Sequence, residues 1–310
     1  MNKTTLGRTG LTVTTMGMGC GGPSRVGKGT GKEEAESVAV VKRAIDAGVN
    51  IIDSAEIYGT EEIVGKAIKG VDRSTLVLCT KKTPTEGLTG EQVRESLENS
   101  LKRFGTDYVD VYYLHGVRLN QYDYLHTEIV PVLKELRQEG KLRFIGISEM
   151  FNADTRHEML QHAFKDDEWD VMMVGFNLLN QCARENVFPE AKKQNIGITV
   201  MFPVRLALSR PERLKEVIAE LIEKKQLDPS EFDVSDPLGF LIHDGGAVSI
   251  PDAAYRFCHY EEGPDVILSG TGNIVHMEEN LESFNRPPLP DEDVEKLKFI
   301  FRNVDSITGQ

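Results

Sequence analysis

Apolar runs and amphipathic stretches alternate along almost the whole chain. Eight runs stand out: "TTMGMG" (14–19), "NIID" (50–53), "TLVLCTK" (75–81), "YVDVYYLH" (108–115), "FIGIS" (144–148), "VMMVGF" (171–176), "ITVMF" (198–202) and "VILSG" (266–270). Most are continuous and β-branched, the pattern of parallel strands covered on both faces. Helical stripes lie between them. Val38, Val41 and Ile45 share a face ahead of Gly48. Thr89 and Gln92 form a capping box before Val93, Leu97, Leu101 and Phe104, and Gly105 ends that helix. Ile129, Val132, Leu133 and Leu136 make a further stripe, stopped by Gly140. Leu214, Val217, Ile218 and Leu221 make another, and Val294, Leu297 and Phe301 the last. Eight strand–helix units predict a closed (β/α)8 TIM barrel rather than an open doubly wound sheet. The opening "TLGRTGLTV" predicts an N-terminal β-hairpin. Strand spacing is regular except between the seventh and eighth runs, so 205–248 reads as an insertion on the barrel top, where βα loops vary.

Composition narrows the partners. The chain has 310 residues, 40% hydrophobic and 27% charged, which suits one barrel domain spanning 1–310. A net charge of −13 argues against nucleic acid or an anionic membrane as a partner. "MNKTTLGRTG" lacks the apolar stretch of a signal peptide, and no apolar run reaches the ~18 residues of a membrane span. Cys20, Cys79, Cys182 and Cys258 are scattered and form no CxxC. Together these point to a cytoplasmic protein with reduced thiols. Oligomeric state is left open.

Three motifs are misleading. "GMGCGG" (17–22) fits G-x-G-x-x-G, but "PSRVGKGTGK" follows where a Rossmann helix should begin. It reads instead as a Gly-rich rim loop, with Gly19, Cys20 and Gly21 near a cofactor. Gly22, Gly27 and Lys28 nearly make a P-loop, but Gly29 stands where Ser or Thr should hold Mg²⁺. In "HEMLQH" (157–162) the histidines are five apart, about 140° around a helix, so they read as two surface histidines rather than metal ligands. No other metal-ligand spacing appears.

In a parallel barrel, chemistry sits where strands end and βα loops begin. Asp53, Lys81 and His115 end three consecutive runs, and Tyr58 follows Asp53 on the same loop. Singly, each has a plain structural explanation, as a turn residue, a solvated lysine, a bonded histidine or a packed aromatic. Together at adjacent strand ends they suggest proton donation to a carbonyl. A phenol with pKa ~10 is a poor acid at neutral pH. An ammonium about 4 Å away at an effective dielectric of ~20 would favour the phenolate by roughly 4 kcal/mol. Desolvation opposes this, so a smaller net lowering is expected. In this scheme Lys81 tunes Tyr58, Asp53 holds Lys81, and His115 orients the carbonyl or relays a proton.

The segments "DSAEIYG", "TK", "YLHG", "GKLRFIGIS" and "GTGNIVHMEEN", with the opening "LGRTGLTV", resemble the aldo-keto reductase family from about residue 4 to residue 302. The resemblance implies an NAD(P)H-dependent oxidoreductase that reduces aldehydes or ketones, with hydride from nicotinamide and the proton from Tyr58. It implies a catalytic tetrad of Asp53, Tyr58, Lys81 and His115. It implies NADP(H) as cofactor, with NAD(H) as the other candidate, and a small carbonyl or alcohol as substrate. Ser148 matches a carboxamide-binding serine, although Glu149 stands where Asn is usual and Met173 where Gln is usual. Met201 and Phe202 occupy the stretch that stacks on nicotinamide. Arg205 or Arg210 offers charge to the pyrophosphate. Ser269, Gly270, Thr271, Gly272, Asn273 and His276 fall near the ribose and 2′-phosphate, and Glu279 and Asn280 near the adenine. The loop "GVRLNQYDYLH" is expected to wall the substrate pocket with Arg118, Tyr122 and Tyr124. The alternative is a cofactor-binding redox sensor or regulatory subunit with slow or no turnover. Relatives of that kind tend to lack the tetrad histidine, which is present here.

Overall fold

The computed structural model describes residues 1–310. Ten strands form two sheets. β1 (Lys3–Thr5) and β2 (Thr12–Thr14) pair antiparallel. The others are β3 (Met16–Gly19), β4 (Ile51–Asp53), β5 (Val77–Lys82), β6 (Val109–Val117), β7 (Leu142–Glu149), β8 (Val171–Gly175), β9 (Gly197–Met201) and β10 (Val266–Ser269). They close into a parallel barrel in chain order, with β10 returning to β3. This is the (β/α)8 architecture that the alternation predicts.

Two hydrophobic clusters divide the packing. The smaller one fills the barrel interior with Ile51, Val77, Cys79, Val111, Tyr113, Val171, Met173 and Val266. Leu6, Leu11 and Val13 of the N-terminal hairpin join it, so the hairpin plugs the barrel's N-terminal mouth. Its turn is longer than a tight hairpin turn. A 3-10 helix at Gly7–Thr9 fills it, and Gly7 lies so close to Gly197 that a Cβ there would sit 2.1 Å from the Gly197 nitrogen. The larger cluster lies between the strands and the outer helices.

Helix signals hold at the strong caps. The Thr89/Gln92 box opens Gly90–Phe104, and Gly105 ends it at φ 71°. The 119–138 region departs from the sequence reading. Residues Leu119–Tyr124 are helical and run through a π-helical turn (Leu125–Ile129) into Val130–Gln138. Between β9 and β10 stand helices Leu206–Ser209, Pro211–Glu223 and Ile250–His259, so the insertion is present and carries helices of its own. No helix is long and apolar enough to cross a membrane.

Candidate active site

Strand alternation decides which side chains meet at the C-terminal mouth. On β4, Ile51 faces the interior, so Asp53 does too. On β5, Val77 and Cys79 face inward, which puts Lys81 inside and Lys82 outside. On β6, Val111 and Tyr113 face inward, which puts His115 inside. Lys81 is wholly buried, whereas Lys82 is half-buried and pairs with Glu56 at 3.1 Å.

The four residues do converge. Lys81 Nζ donates to both Asp53 oxygens at 2.6 Å and to the Ser54 carbonyl at 2.7 Å, which uses all three ammonium protons. It lies 5.3 Å from the centre of the Tyr58 ring. Burial alone would push the Lys81 pKa down, but the Asp53 carboxylate outweighs it and the ammonium is held charged. Tyr58 stands on a one-turn 3-10 helix (Glu56–Tyr58) ended by Gly59 at φ 66°. Its hydroxyl is 3.0 Å from His115 Nε2, and the two rings meet edge-on at 5.3 Å. His115 Nδ1 lies 3.2 Å from Thr83 Oγ1. Burial, then the Lys81 charge, pushes the imidazole down to about 3, so it is neutral at physiological pH. Gly21 leaves room for the phenol, because a Cβ there would lie 2.5 Å from the Tyr58 ring.

One electrostatic expectation is overturned. The Tyr58 pKa is raised, not lowered, because burial outweighs the opposing Lys81 charge. The Asp53 carboxylate, after burial, also pushes the phenol up.

Two cavities run on from Tyr58. The first, about 150 Å³, is bordered by Gly19, Gly21, Tyr58, Met173, Met201 and Phe202. The second, about 360 Å³, is bordered by Thr271, His276, Glu279 and Asn280. They share Pro23, Ser24, Val204, Arg205, Tyr255 and Gly270, so they form one groove leading from the phenol to the helix Ile274–Ser283. Arg205 Cζ lies over the Phe202 ring, 3.7 Å from its centre, with Nε buried and unpartnered. Arg210 is exposed and stands outside the groove.

Other sequence candidates lie behind this wall. Cys20 and Ser148 are buried and border neither cavity. Ser269 is buried too, bonded to the Tyr255 hydroxyl at 3.0 Å and to Asn280 Nδ2 at 2.9 Å. Asn273 caps the helix that carries His276, accepting from Val275 N. Gly272 presses on Gly27, where a Cβ would come within 2.3 Å of the Gly27 nitrogen. These residues shape the groove rather than line it.

Two readings fail. Tyr122 and Tyr124 do not wall a substrate pocket. Tyr122 is buried against Trp169 with its hydroxyl on Asp166 at 2.8 Å, and Tyr124 donates to the Leu88 carbonyl. Arg118 borders neither cavity. The buried face of the helix beginning at Leu119 claims the tyrosine that a loop reading exposes. His157 is likewise no surface residue. It is fully buried and pairs with Glu149, whereas His162 is partly exposed. The sequence reading also misses Pro23, Ser24, Tyr255 and Gln310 as groove residues. Tyr255 sits in an amphipathic helix and reads as an ordinary core aromatic.

A family model described as the aldo/keto reductase family matches residues 16–301, and the chain belongs to that family. It is a (β/α)8 oxidoreductase, from a family whose general chemistry is NADP-dependent carbonyl reduction and whose typical cofactor is NADP(H). The chain is similar to the uncharacterized oxidoreductase YqkF of Bacillus subtilis (strain 168), 24% identical over 310 residues and covering 96% of each chain. Its fold resembles the holo form of aldo-keto reductase AKR11C1 from Bacillus halodurans, with TM-score 0.73, 24% identity and coverage of 97% of this chain and 96% of that one. It also resembles an aldo/keto reductase from Klebsiella pneumoniae in complex with NADP and acetate, with TM-score 0.73, 23% identity and the same coverage.

Proposed function

We propose that this chain, acting as one unit over 1–310, binds NADP(H) along the groove and reduces a small aldehyde or ketone, with Tyr58 donating the proton. The observation that carries the reading is the buried Asp53–Lys81 pair beside Tyr58, which lines one end of the groove formed by the two cavities. The cofactor supplies hydride. The protein's residues do the rest. Tyr58, kept protonated by burial, holds a proton at the cavity wall. His115 with its proton on Nε2 donates to the Tyr58 oxygen, which leaves the phenol proton free for the substrate; Thr83 then donates to Nδ1. As the proton leaves, negative charge develops on the phenol, and the fixed Lys81 ammonium stabilises it. Lys81 therefore acts on the transition state more than on the resting pKa.

The residues present suit the cofactor. Arg205 is a half-buried cation with no carboxylate acting on it, in a chain of net charge −13. Burial pushes its pKa down, so an anion in the groove relieves a real cost. Arg205, not Arg210, is assigned to the pyrophosphate. Met173 and Met201 face the nicotinamide end, and one face of Phe202 is already covered by Arg205.

His276 borders the far end of the groove and is exposed, with Glu279 beside it. It is assigned to the 2′-phosphate. An imidazolium meets phosphate less firmly than a guanidinium, which is always charged and binds in a fork. The expected result is a modest preference for NADPH over NADH that depends on His276. Dissociation constants for both cofactors, in wild type and His276→Gln, test this. Loss of the NADPH preference in the variant supports the groove assignment. An unchanged affinity ratio would remove His276 from it.

A further inference from the structure

With the groove read as the NADP(H) site, we propose that Tyr255, acting through Ser269, fixes the orientation of the Asn280 amide, so that the amide oxygen selects a purine carrying an amino group at C6, adenine over hypoxanthine. Strand alternation sets the arrangement. Val266 of β10 packs in the barrel interior and Ile267 in the outer cluster. Ser269 therefore points outward, toward the helices Ile250–His259 and Ile274–Ser283. It is wholly buried between Tyr255 of the first helix and Asn280 of the second. His276 and Asn280 lie one turn apart on one face of the second helix, and both border the groove. Tyr255 borders it too, and its ring packs on Phe284 with centroids 5.4 Å apart.

Counting protons then fixes the amide. Ser269 Oγ has a single proton, which it donates to the Tyr255 hydroxyl at 3.0 Å. Toward Asn280 the serine oxygen can therefore only accept, and it does so from Nδ2 at 2.9 Å. An asparagine offers its two amide atoms in opposite roles, a donor and an acceptor. Nδ2 is committed to the buried serine. Oδ1 takes no hydrogen bond from the protein, and it is the amide atom left for the groove.

An amide oxygen accepts from the 6-amino group of adenine and opposes the 6-oxo group of hypoxanthine, which is itself an acceptor. Glu279, exposed at the same end of the groove, is a second acceptor. Without the Tyr255 hydroxyl, the serine proton loses its partner, and a buried donor left unpaired is costly. An acceptor within reach is Asn280 Oδ1, which a half-turn about the soft terminal torsion of the side chain brings to the serine. Nδ2 then faces the groove and donates to a 6-oxo group. Tyr255 is thus a positioning residue. It acts on the base through two other side chains and not on the reacting atoms.

The test is calorimetric titration with NADPH and with its deamino analogue, in which hypoxanthine replaces adenine. Wild type should bind the adenine form about ten-fold tighter, since one hydrogen bond is made in one complex and opposed in the other. Tyr255→Phe keeps the ring against Phe284 and should cut the ratio to about two-fold, with Glu279 keeping it from reversing. Ser269→Ala also frees the amide and should lower the ratio in the same way, so it carries the test if the first variant does not fold. A tyrosine with only a packing role would weaken both ligands alike, and a ratio left at its wild-type value in the folded variant overturns the assignment. A wild-type ratio near one overturns it as well, with NADPH binding intact. Wild type that binds neither dinucleotide would overturn the groove reading and this assignment together.

Discussion

Tyr58→Phe should lower carbonyl reduction by about 10²–10⁴ while NADPH affinity stays within a few-fold of wild type, since a positioned acid is worth about that much. The ring keeps its packing over Gly21 and beside His115, and only the hydroxyl goes. The pH behaviour follows from the same geometry. The Tyr58 pKa lies above its ordinary value and that of His115 near 3, so neither titrates between pH 5 and 9. Reduction by the wild type should therefore be level in kcat across that range. Alcohol oxidation needs the phenolate, whose fraction rises about ten-fold per pH unit below its pKa, and should climb accordingly. Steady-state rates in both directions check this. A reduction profile breaking between pH 6 and 8 would mean that a different group supplies the proton.

Lys81→Met should be as damaging to turnover, and it should also destabilise the fold. Asp53 is only 4% exposed, and its hydrogen-bonded cation is Lys81. Removing one member of a buried pair costs about 3–5 kcal/mol, because the other is left uncompensated. Urea unfolding should register that loss, with part of it relieved if Asp53 takes up a proton. Lys82→Met removes a half-exposed pair with Glu56 and should change stability by less than about 1 kcal/mol. Its effect on turnover should be slight. The contrast between neighbours follows from strand direction, which puts Lys81 in the buried pair with Asp53 and Lys82 in the half-exposed pair with Glu56.

Strand direction is also the reason so much of the site was legible. A period of two along Ile51–Asp53, Val77–Cys79–Lys81 and Val111–Tyr113–His115 is a local property of the sequence, and barrel closure turns it into convergence. The caps at Thr89 and Gly105 are local in the same way. What the sequence hid depends on partners distant in space or on backbone strain. "HEMLQH" carries no sign that His157 is turned to φ 64° and neutralises a carboxylate from β7. Tyr122 looks like a loop residue until the helix over Leu119–Tyr124 turns it onto Trp169. The direction of the Tyr58 shift depended on how deeply the folded barrel buries the phenol, which no spacing reveals. Of the Gly-rich elements, Gly21 is explained by contact with Tyr58 rather than by a phosphate-binding turn.

A reductase and a cofactor-binding sensor share the groove and differ in turnover. The presence of His115 within 3.0 Å of the Tyr58 hydroxyl favours the reductase, because it positions the proton that a sensor does not need to deliver. The most direct test is loss of nicotinamide absorbance with a panel of small aldehydes and ketones, with NADPH and NADH in parallel and the alcohol product quantified. The account predicts that at least one carbonyl consumes NADPH over many turnovers, one alcohol formed per cofactor oxidised. Tight NADPH binding with no absorbance loss above the carbonyl-free rate for any member of the panel would contradict it.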